Sequence, residues 1–352
     1  MPVRVLVVDD SALIRQMLTS LLSADPEIDV VGTACDPYEA RERIKAHDPA
    51  VITLDVEMPN MNGIAFLERL MRLKPLPVVM VSTLTQKGAD VTLLALELGA
   101  VDFVAKPTDA TPGAMDRIAA ELRLKVKMAA KSRPGAGGGQ APAPARPAET
   151  VAAPRAHPKA LVAIGASTGG VEALRAVITA LPAAMPPIVI TQHMPAGFTA
   201  RFAQRLDEAS ALRVFEASDG HVMRPGEVAI APGNLHLSVR ASAAGYVCQV
   251  KDGEAVSGHR PSVDVLMGSV AEAAGREAVG VILTGMGRDG ARGLLAMREA
   301  EARTIGQNEA TSLVYGMPKV AREMGAVAVE LPLGQIARRI VEELAGPRAS
   351  AA

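Results

Sequence analysis

The sequence predicts a two-domain α/β protein whose sheets are mostly parallel. Three observations predict it. Short β-branched runs alternate strictly with helical patterns over residues 1–128. The same alternation resumes over 159–347, with a hairpin added. Between them, from Ser132 to Pro158, runs SRPGAGGGQAPAPARPAETVAAPRAHP, whose only large aliphatic residue is Val151. Such a stretch cannot bury enough apolar area to offset its ordering entropy. Residues 129–158 therefore read as a flexible Ala/Pro/Gly-rich linker, looser at GAGGG and stiffer at APAPARP, with a reach of about 30 Å.

The first domain opens with the strand RVLVVDD (4–10) and the helix SALIRQMLTSLLSA. Four more strands follow: IDVVGTAC (28–35), AVITLDV (50–56), PVVMVST (77–83) and DFVAKP (102–107). The helices DPYEARERIKAH, GIAFLERLMRLK and VTLLALELGA lie between them, and MDRIAAELRLKVKMAAK closes the domain. This is the pattern of a doubly wound (βα)5 sheet covered on both faces. Right-handed crossovers then bring the C-terminal ends of all its strands to one edge. That edge receives Asp9 and Asp10 from the first strand, Asp55 from the third, Ser82 from the fourth and Lys106 from the fifth. Clustered carboxylates repel one another unless a cation lies among them, and oxygen-only ligands suit Mg²⁺. With a hydroxyl and an ammonium alongside, the set can take a phosphoryl group on a carboxylate. Singly, each residue has an ordinary reading: Asp after a strand commonly caps a helix, and Lys-Pro is a common surface turn.

The second domain begins with the strand ALVAIG, the turn STGG and the helix VEALRAVITAL. PPIVITQHM and EVAIAPG read as strands, HLSVR and YVCQV as a hairpin. VGVILT runs into GMGRDG and the helix ARGLLAMREA, and TIGQN and AVAVELP supply late strands. Ser167 sits in GASTGG, directly between strand and helix. Small residues keep such a turn tight, and a helix N-terminus offers free N–H groups. A nucleophilic serine or a bound phosphate would each exploit it. Gly165-x-Ser167-x-Gly169 matches the nucleophile-elbow pattern, whereas the two common phosphate-loop signatures are missing here. An α/β-hydrolase proper is disfavoured, because its elbow follows several strands and its histidine comes late, yet no His follows His259.

A serine nucleophile needs a base and an orienting acid. His193, in TQHMP, ends the next strand, and Asp289, in LTGMGRDG, follows another. In a parallel sheet all three would share one edge. Alone, His193 equally fits a structural hydrogen bond, and Asp289 fits an N-cap for ARGLLAMREA. GHRPSVD, with His259 and Arg260, either binds an acidic substrate segment or ties down a loop.

Composition narrows the function classes. The 37 Lys+Arg nearly cancel the 38 Asp+Glu, and aromatics are 2% with no Trp. Neither a global field nor stacking platforms favour nucleic acid. No apolar run approaches the ~20 residues that span a bilayer, and the N-terminus is unlike a signal peptide. Cys35 and Cys248 suggest neither a disulfide framework nor a zinc site. The expectation is a cytoplasmic monomer in a reducing compartment, without membrane insertion.

VVDDS, LDVEMPNMNG, VMVST and DFVAKP resemble the response-regulator receivers over nearly the whole first domain. GASTGG, TQHMPAGFT, GHRPSVDVL and LTGMGRDGARG resemble the chemotaxis protein-glutamate methylesterase (CheB) family, and with the receiver the resemblance covers the whole chain. It implies that Asp55 accepts phosphate from a histidine kinase. It implies Mg²⁺ held by Asp9, Asp10, Asp55 and the Glu57 carbonyl, and Ser82 and Phe103 as the switch pair beside Lys106. In the catalytic domain it implies Ser167 as nucleophile, His193 as general base and acid, and Asp289 as its orienter. Met286 would lend a backbone N–H to the oxyanion, with Thr168 and His259 lining the site. The implied substrates are glutamyl methyl esters, and glutamines for deamidation, on methyl-accepting chemotaxis receptors, with no cofactor for the ester chemistry. The rival reading is a two-component signalling module whose C-terminal domain only binds a partner.

Overall fold

The computed structural model describes residues 1–56, 58, 62–82, 86–106, 114–132 and 157–345. Most of the predicted linker, 133–156, lies outside the described residues, as do Glu57 and Pro107. The chain divides into two units, Met1–Ala141 and Pro142–Ala352.

In the first unit, strands β1 (Val3–Val8), β2 (Ile28–Ala34), β3 (Val51–Asp55), β4 (Val78–Ser82) and β5 (Asp102–Ala105) alternate with helices α1 (Ala12–Ser23), α2 (Pro37–His47), α3 (Gly63–Leu73), α4 (Gln86–Glu97) and α5 (Ala114–Ala129). The strands pair in parallel in the order β2-β1-β3-β4-β5. The central runs are apolar at consecutive positions because helices cover both faces, and Val5 to Val8 are at most 1% exposed. Local chemistry sets the helix starts. Ser11 accepts from the Ile14 N–H, Asp36 from those of Tyr38 and Glu39, and Asn62 from that of Ala65. Helix α5 ends one residue into the segment assigned to the linker, where the Ser132 hydroxyl donates to the Ala129 carbonyl.

The second unit holds nine strands among its described residues: β6 (Leu161–Ala166), β7 (Ile188–Gln192), β8 (Arg213–Glu216), β9 (Glu227–Ile230), β10 (His236–Ser242), β11 (Gly245–Lys251), β12 (Ala278–Ile282), β13 (Arg303–Gln307) and β14 (Val329–Leu331). Its helices are α6 (Gly170–Thr179), α7 (Phe198–Ala209), α8 (Val263–Ala274), α9 (Ala291–Glu299), α10 (Met317–Glu323) and α11 (Leu333–Ala345). Seven strands form one parallel sheet, β14-β13-β12-β6-β7-β9-β8. The expected antiparallel part is the separate hairpin β10-β11. The four-residue edge strand β8 and helices α7, α8, α10 and α11 add to the elements read from the sequence.

Helix α8 shows why this layer holds. Val263, Leu266, Met267 and Val270 are fully buried at helical spacing, each worth about 1.5–3 kcal/mol. They share a core with Leu237 and Val239 of β10, Cys248 of β11 and Leu294 and Met297 of α9. After β6 the chain moves to β7 on one side, and it later returns to β12 on the other. The crevice beyond the C-terminal end of β6 is therefore a topological switch point, where open α/β sheets place their ligands. No described helix is long and apolar enough to cross a membrane.

Candidate active site

Ser167 leaves β6, His193 leaves β7, and Asp289 follows β12. The central strand and its two neighbours thus deliver one group each. The backbone around them is tied down by polar side chains that sequence reasoning did not single out. The Gln192 amide donates to the Ser167 carbonyl at 2.9 Å and to the His193 carbonyl at 3.1 Å. The Ser167 N–H donates to the Thr284 carbonyl at 3.0 Å, and the His193 N–H to the Ala166 carbonyl at 3.1 Å. The Thr284 hydroxyl donates to the Thr168 carbonyl at 3.0 Å, while the Thr284 N–H donates to Gln307 Oε1 at 2.8 Å. The signal in the sequence is faint: Gln192 and Gln307 are each the single amide that closes a largely buried strand.

Two glycines permit the approach of these segments. A Cβ on Gly285 would lie 2.8 Å from the Ser167 Cβ, so the loop after β12 lies against the serine. The next residue, Met286, has a backbone N–H with no hydrogen-bond partner among the described residues. A Cβ on Gly165 would lie 2.2 Å from Val263 Cγ1, so its absence lets the first turn of α8 rest on the end of β6.

His193 Nδ1 lies 3.0 Å from Ser167 Oγ, and its Nε2 lies 2.8 Å from Asp289 Oδ2. An ionised carboxylate only accepts, so Nε2 carries the proton and donates to Asp289. Nδ1 is then left to accept from the Ser167 hydroxyl. The ring end that meets the serine is the reverse of that in the chymotrypsin-type triad, but the serine–imidazole–carboxylate order is the same. His259 stacks on His193, centroids 3.8 Å apart and planes 6° from parallel, with its Nδ1–H donating to the Ser257 carbonyl at 3.0 Å. Thr168, next to Ser167 in the turn between β6 and α6, is buried. Arg260 pairs with Asp252 and donates to the Gly253 carbonyl, which fits the reading of GHRPSVD as a tied-down loop.

The Asp289 side chain is fully buried. It does not cap α9, the ordinary local expectation for it. It accepts instead from the Ser262 hydroxyl at 2.8 Å, the Val263 N–H at 2.7 Å and the Asp264 N–H at 3.0 Å, all at the start of α8. A helix N-terminus thus carries this anion, with His193 Nε2 and the Val263 N–H sharing Oδ2 while the Ser262 hydroxyl and the Asp264 N–H hold Oδ1. Burial pushes the Asp289 carboxyl up. The hydrogen bond and charge of His193, with the Asp264 N–H and the Ser262 hydroxyl, outweigh burial and hold it below the ordinary aspartate value.

In the first unit Asp9, Asp10 and Asp55 meet at the C-terminal edge, with ligand atoms within 4.8 Å of one another. Asp9 and Asp55 are buried and Asp10 is exposed. Lys106 Nζ reaches Asp9 Oδ2 at 2.8 Å and Asp55 Oδ2 at 2.9 Å. Burial lowers the lysine's proton affinity, but hydrogen bonds and charge from these two carboxylates outweigh that and raise it. An all-carboxylate donor set on one edge fits a hard cation such as Mg²⁺. Ser82, 1% exposed, pairs in register with Ala105, so Phe103 lies on the same face of the sheet two positions back. Phe103 is buried, with Lys125 Nζ 5.2 Å from its ring centroid and 2.6 Å from its carbonyl oxygen.

The model of the CheB methylesterase family matches residues 162–340, and that of the response regulator receiver domain matches residues 5–113. A protein-glutamate methylesterase/protein-glutamine glutaminase of Caulobacter vibrioides is 57% identical over 341 residues, 97% of each chain. One from Pseudomonas aeruginosa is 50% identical over 345 residues, 98% of each chain. The crystal structure of the CheB methylesterase catalytic domain of Thermotoga maritima superposes with a TM-score of 0.51 at 39% identity, covering 52% of this chain and 97% of that one. Matched over both units and nearly end to end, the chain belongs to the CheB methylesterase family, hydrolases with a response-regulator receiver ahead of the catalytic domain.

Proposed function

We propose that this hydrolase removes methyl esters from glutamyl side chains on the cytoplasmic helices of chemoreceptors, under control of receiver phosphorylation. The observation that carries the reading is the relay from Ser167 Oγ through His193 to Asp289, at 3.0 and 2.8 Å. His193 Nδ1 takes the serine proton as Oγ attacks the ester carbonyl. Negative charge grows on the carbonyl oxygen, where the Met286 N–H donates to it. Asp289 stabilises the imidazolium and keeps it oriented. The imidazolium then protonates the departing methoxide, methanol leaves, and a glutamyl ester remains on Ser167. Water enters, His193 takes one of its protons, and attack on the acyl group returns Ser167 and frees the glutamate. A glutamine presents the same carbonyl with ammonia as the leaving group, so deamidation follows the same steps.

In the receiver, Asp55 takes the phosphoryl group of a histidine kinase. Asp9, Asp10 and Asp55, with the Glu57 carbonyl, would hold Mg²⁺, which supplies charge neutralisation for the transferred group. Lys106, already against Asp55, pairs with the phosphoryl oxygens, and Ser82 turns its hydroxyl toward them. Phe103 follows on the same face, and this switch relieves a restraint on the esterase.

Methanol release from methylated receptor by the full chain, with and without a small phosphodonor and Mg²⁺, tests the reading. The rate should rise with phosphodonor, and Asp55→Asn should remove that rise. Ser167→Ala should be inactive, and more than a tenth of the wild-type rate in that variant would take Ser167 out of the mechanism. A module that only binds a partner would release no methanol in any state.

A further inference from the structure

The Asp264 carboxylate takes part in none of those steps, yet its side chain is only 7% exposed. A buried anion needs donors, and the source of these donors is informative. Oδ1 accepts from the Gly290 N–H and the Gly293 N–H, each at 2.9 Å. Oδ2 accepts from the Ser257 hydroxyl at 2.8 Å. Arg292, itself 67% exposed, approaches at 3.4 Å, where solvent screens the pair.

These donors come from the start of α9, which follows Asp289, and from Ser257, two residues before His259. Gly290 follows Asp289 and starts α9, so Asp264 fixes the peptide next to the orienting acid. The Asp264 N–H meanwhile donates to Asp289 Oδ1. Helices α8 and α9 therefore meet N-terminus to N-terminus, each capped by an aspartate supplied from the other's start. On the second branch, Ser257 adopts a left-handed φ of 53°, and its carbonyl holds the His259 ring that lies flat on His193. One carboxylate thus reaches the imidazole twice, in its plane through Asp289 and across its face through Ser257 and His259.

We propose that Asp264 is a positioning residue for the His193 imidazole, holding Asp289 in the ring plane and His259 against the ring face. The inference rests on the reading of Ser167, His193 and Asp289 as the reacting relay. Its effect belongs to the rate of the chemical step more than to binding, because small displacements of a base cost far more in reaction than in substrate affinity.

The test uses full-chain variants and three readouts: methanol release from methylated receptor, circular dichroism, and the downfield proton resonance of the His193–Asp289 hydrogen bond. Asp264→Ala should lower kcat about 100-fold, leave KM within about threefold, and shift or abolish the downfield resonance. Asp264→Asn keeps an acceptor for Gly290 and Gly293, so it should return to within about tenfold of wild type. Ser257→Ala leaves the helix clasp in place and should lower kcat by about 3–10-fold through the His259 branch alone. A folded Asp264→Ala variant with wild-type kcat overturns the proposal. So does a loss matching the unfolded fraction with the downfield resonance unmoved. If Asp264→Ala does not fold, Ser257→Ala decides, and an unchanged kcat there also overturns it. Failure of the underlying relay looks different: Ser167→Ala would then stay active, whereas failure of this inference leaves Ser167→Ala inactive and the Asp264 variants indifferent.

Discussion

At the scale of single residues, the proposed catalytic relay turns on how one buried carboxylate keeps its charge. Asp289 is fully buried yet ionises more readily than an ordinary aspartate, because His193 and the start of α8 together supply donors to both of its oxygens. Its folded value lies below its unfolded one, about 3.9. The stability it contributes is therefore fully present above that unfolded value and is lost as pH falls through the folded one. Asp289→Asn should flatten the acid decline of stability below about pH 4, measured as denaturant midpoint against pH. The same change places an amide where His193 needs an acceptor, and losses of about 10⁴ in kcat occur in analogous triads. A variant that keeps both the acid decline and the rate would show that Asp289 is not the charged partner. Ser167, His193 and Asp289 are legible in the sequence because each follows a recognisable strand of a parallel sheet. The capping partner of Asp289 is not. Local rules assign an Asp before a helix to that helix, whereas here the helix it caps begins 26 residues earlier in the chain. Only tertiary packing brings the two starts together.

Among the elements, α8 is the one that connects core and site, and the sequence reading does not assign it. Its N-cap Ser262 and its first-turn Asp264 lie inside GHRPSVD, a segment whose short polar residues mask the helix start. The strands are more legible, since their apolar runs and parallel order follow from period and crossover rules alone. Helix α8 can sit where it does because Gly165 leaves room for Val263. Gly165→Ala would place a methyl within the Val263 side chain and push the helix start away from Asp289. The expected cost is about 1–3 kcal/mol in stability, with a fall in kcat that Gly→Ala changes on exposed turns would not produce. Chemical denaturation and steady-state rates on the same preparation check both. Unchanged stability would mean that α8 can shift freely, which the fully buried Val263, Leu266 and Met267 argue against.

For the whole molecule, the two units carry different chemistry on sheets of the same kind. The first gathers acids and a lysine at its C-terminal edge, the second a serine, a histidine and an acid at its own. The proposed control of one by the other would be a property of the joined chain. A fragment beginning at Lys159 should hydrolyse receptor esters faster than the unphosphorylated full chain and should ignore phosphodonor. Equal rates for the two would remove the restraint from the account. A phosphorylated full chain faster than the fragment would show that the receiver also assists catalysis, for instance by recruiting substrate at high effective concentration.

Ser167, His193 and Asp289, the proposed reacting groups, follow the three innermost strands of the sheet, β6, β7 and β12, with β14 and β8 at the rims. Fraying begins at rims, where strands have one neighbour and solvent can take their hydrogen bonds. The rims can therefore open and close without disturbing the serine or its base. Amides such as those of Ile164, Ile190 and Ile282 should exchange with deuterium only through opening of the whole catalytic unit. In a denaturant titration, ester hydrolysis should persist until that unit unfolds, so the two midpoints coincide. The enzyme would then have no half-open, inactive form on the way to unfolding, and its working lifetime would equal that of its sheet.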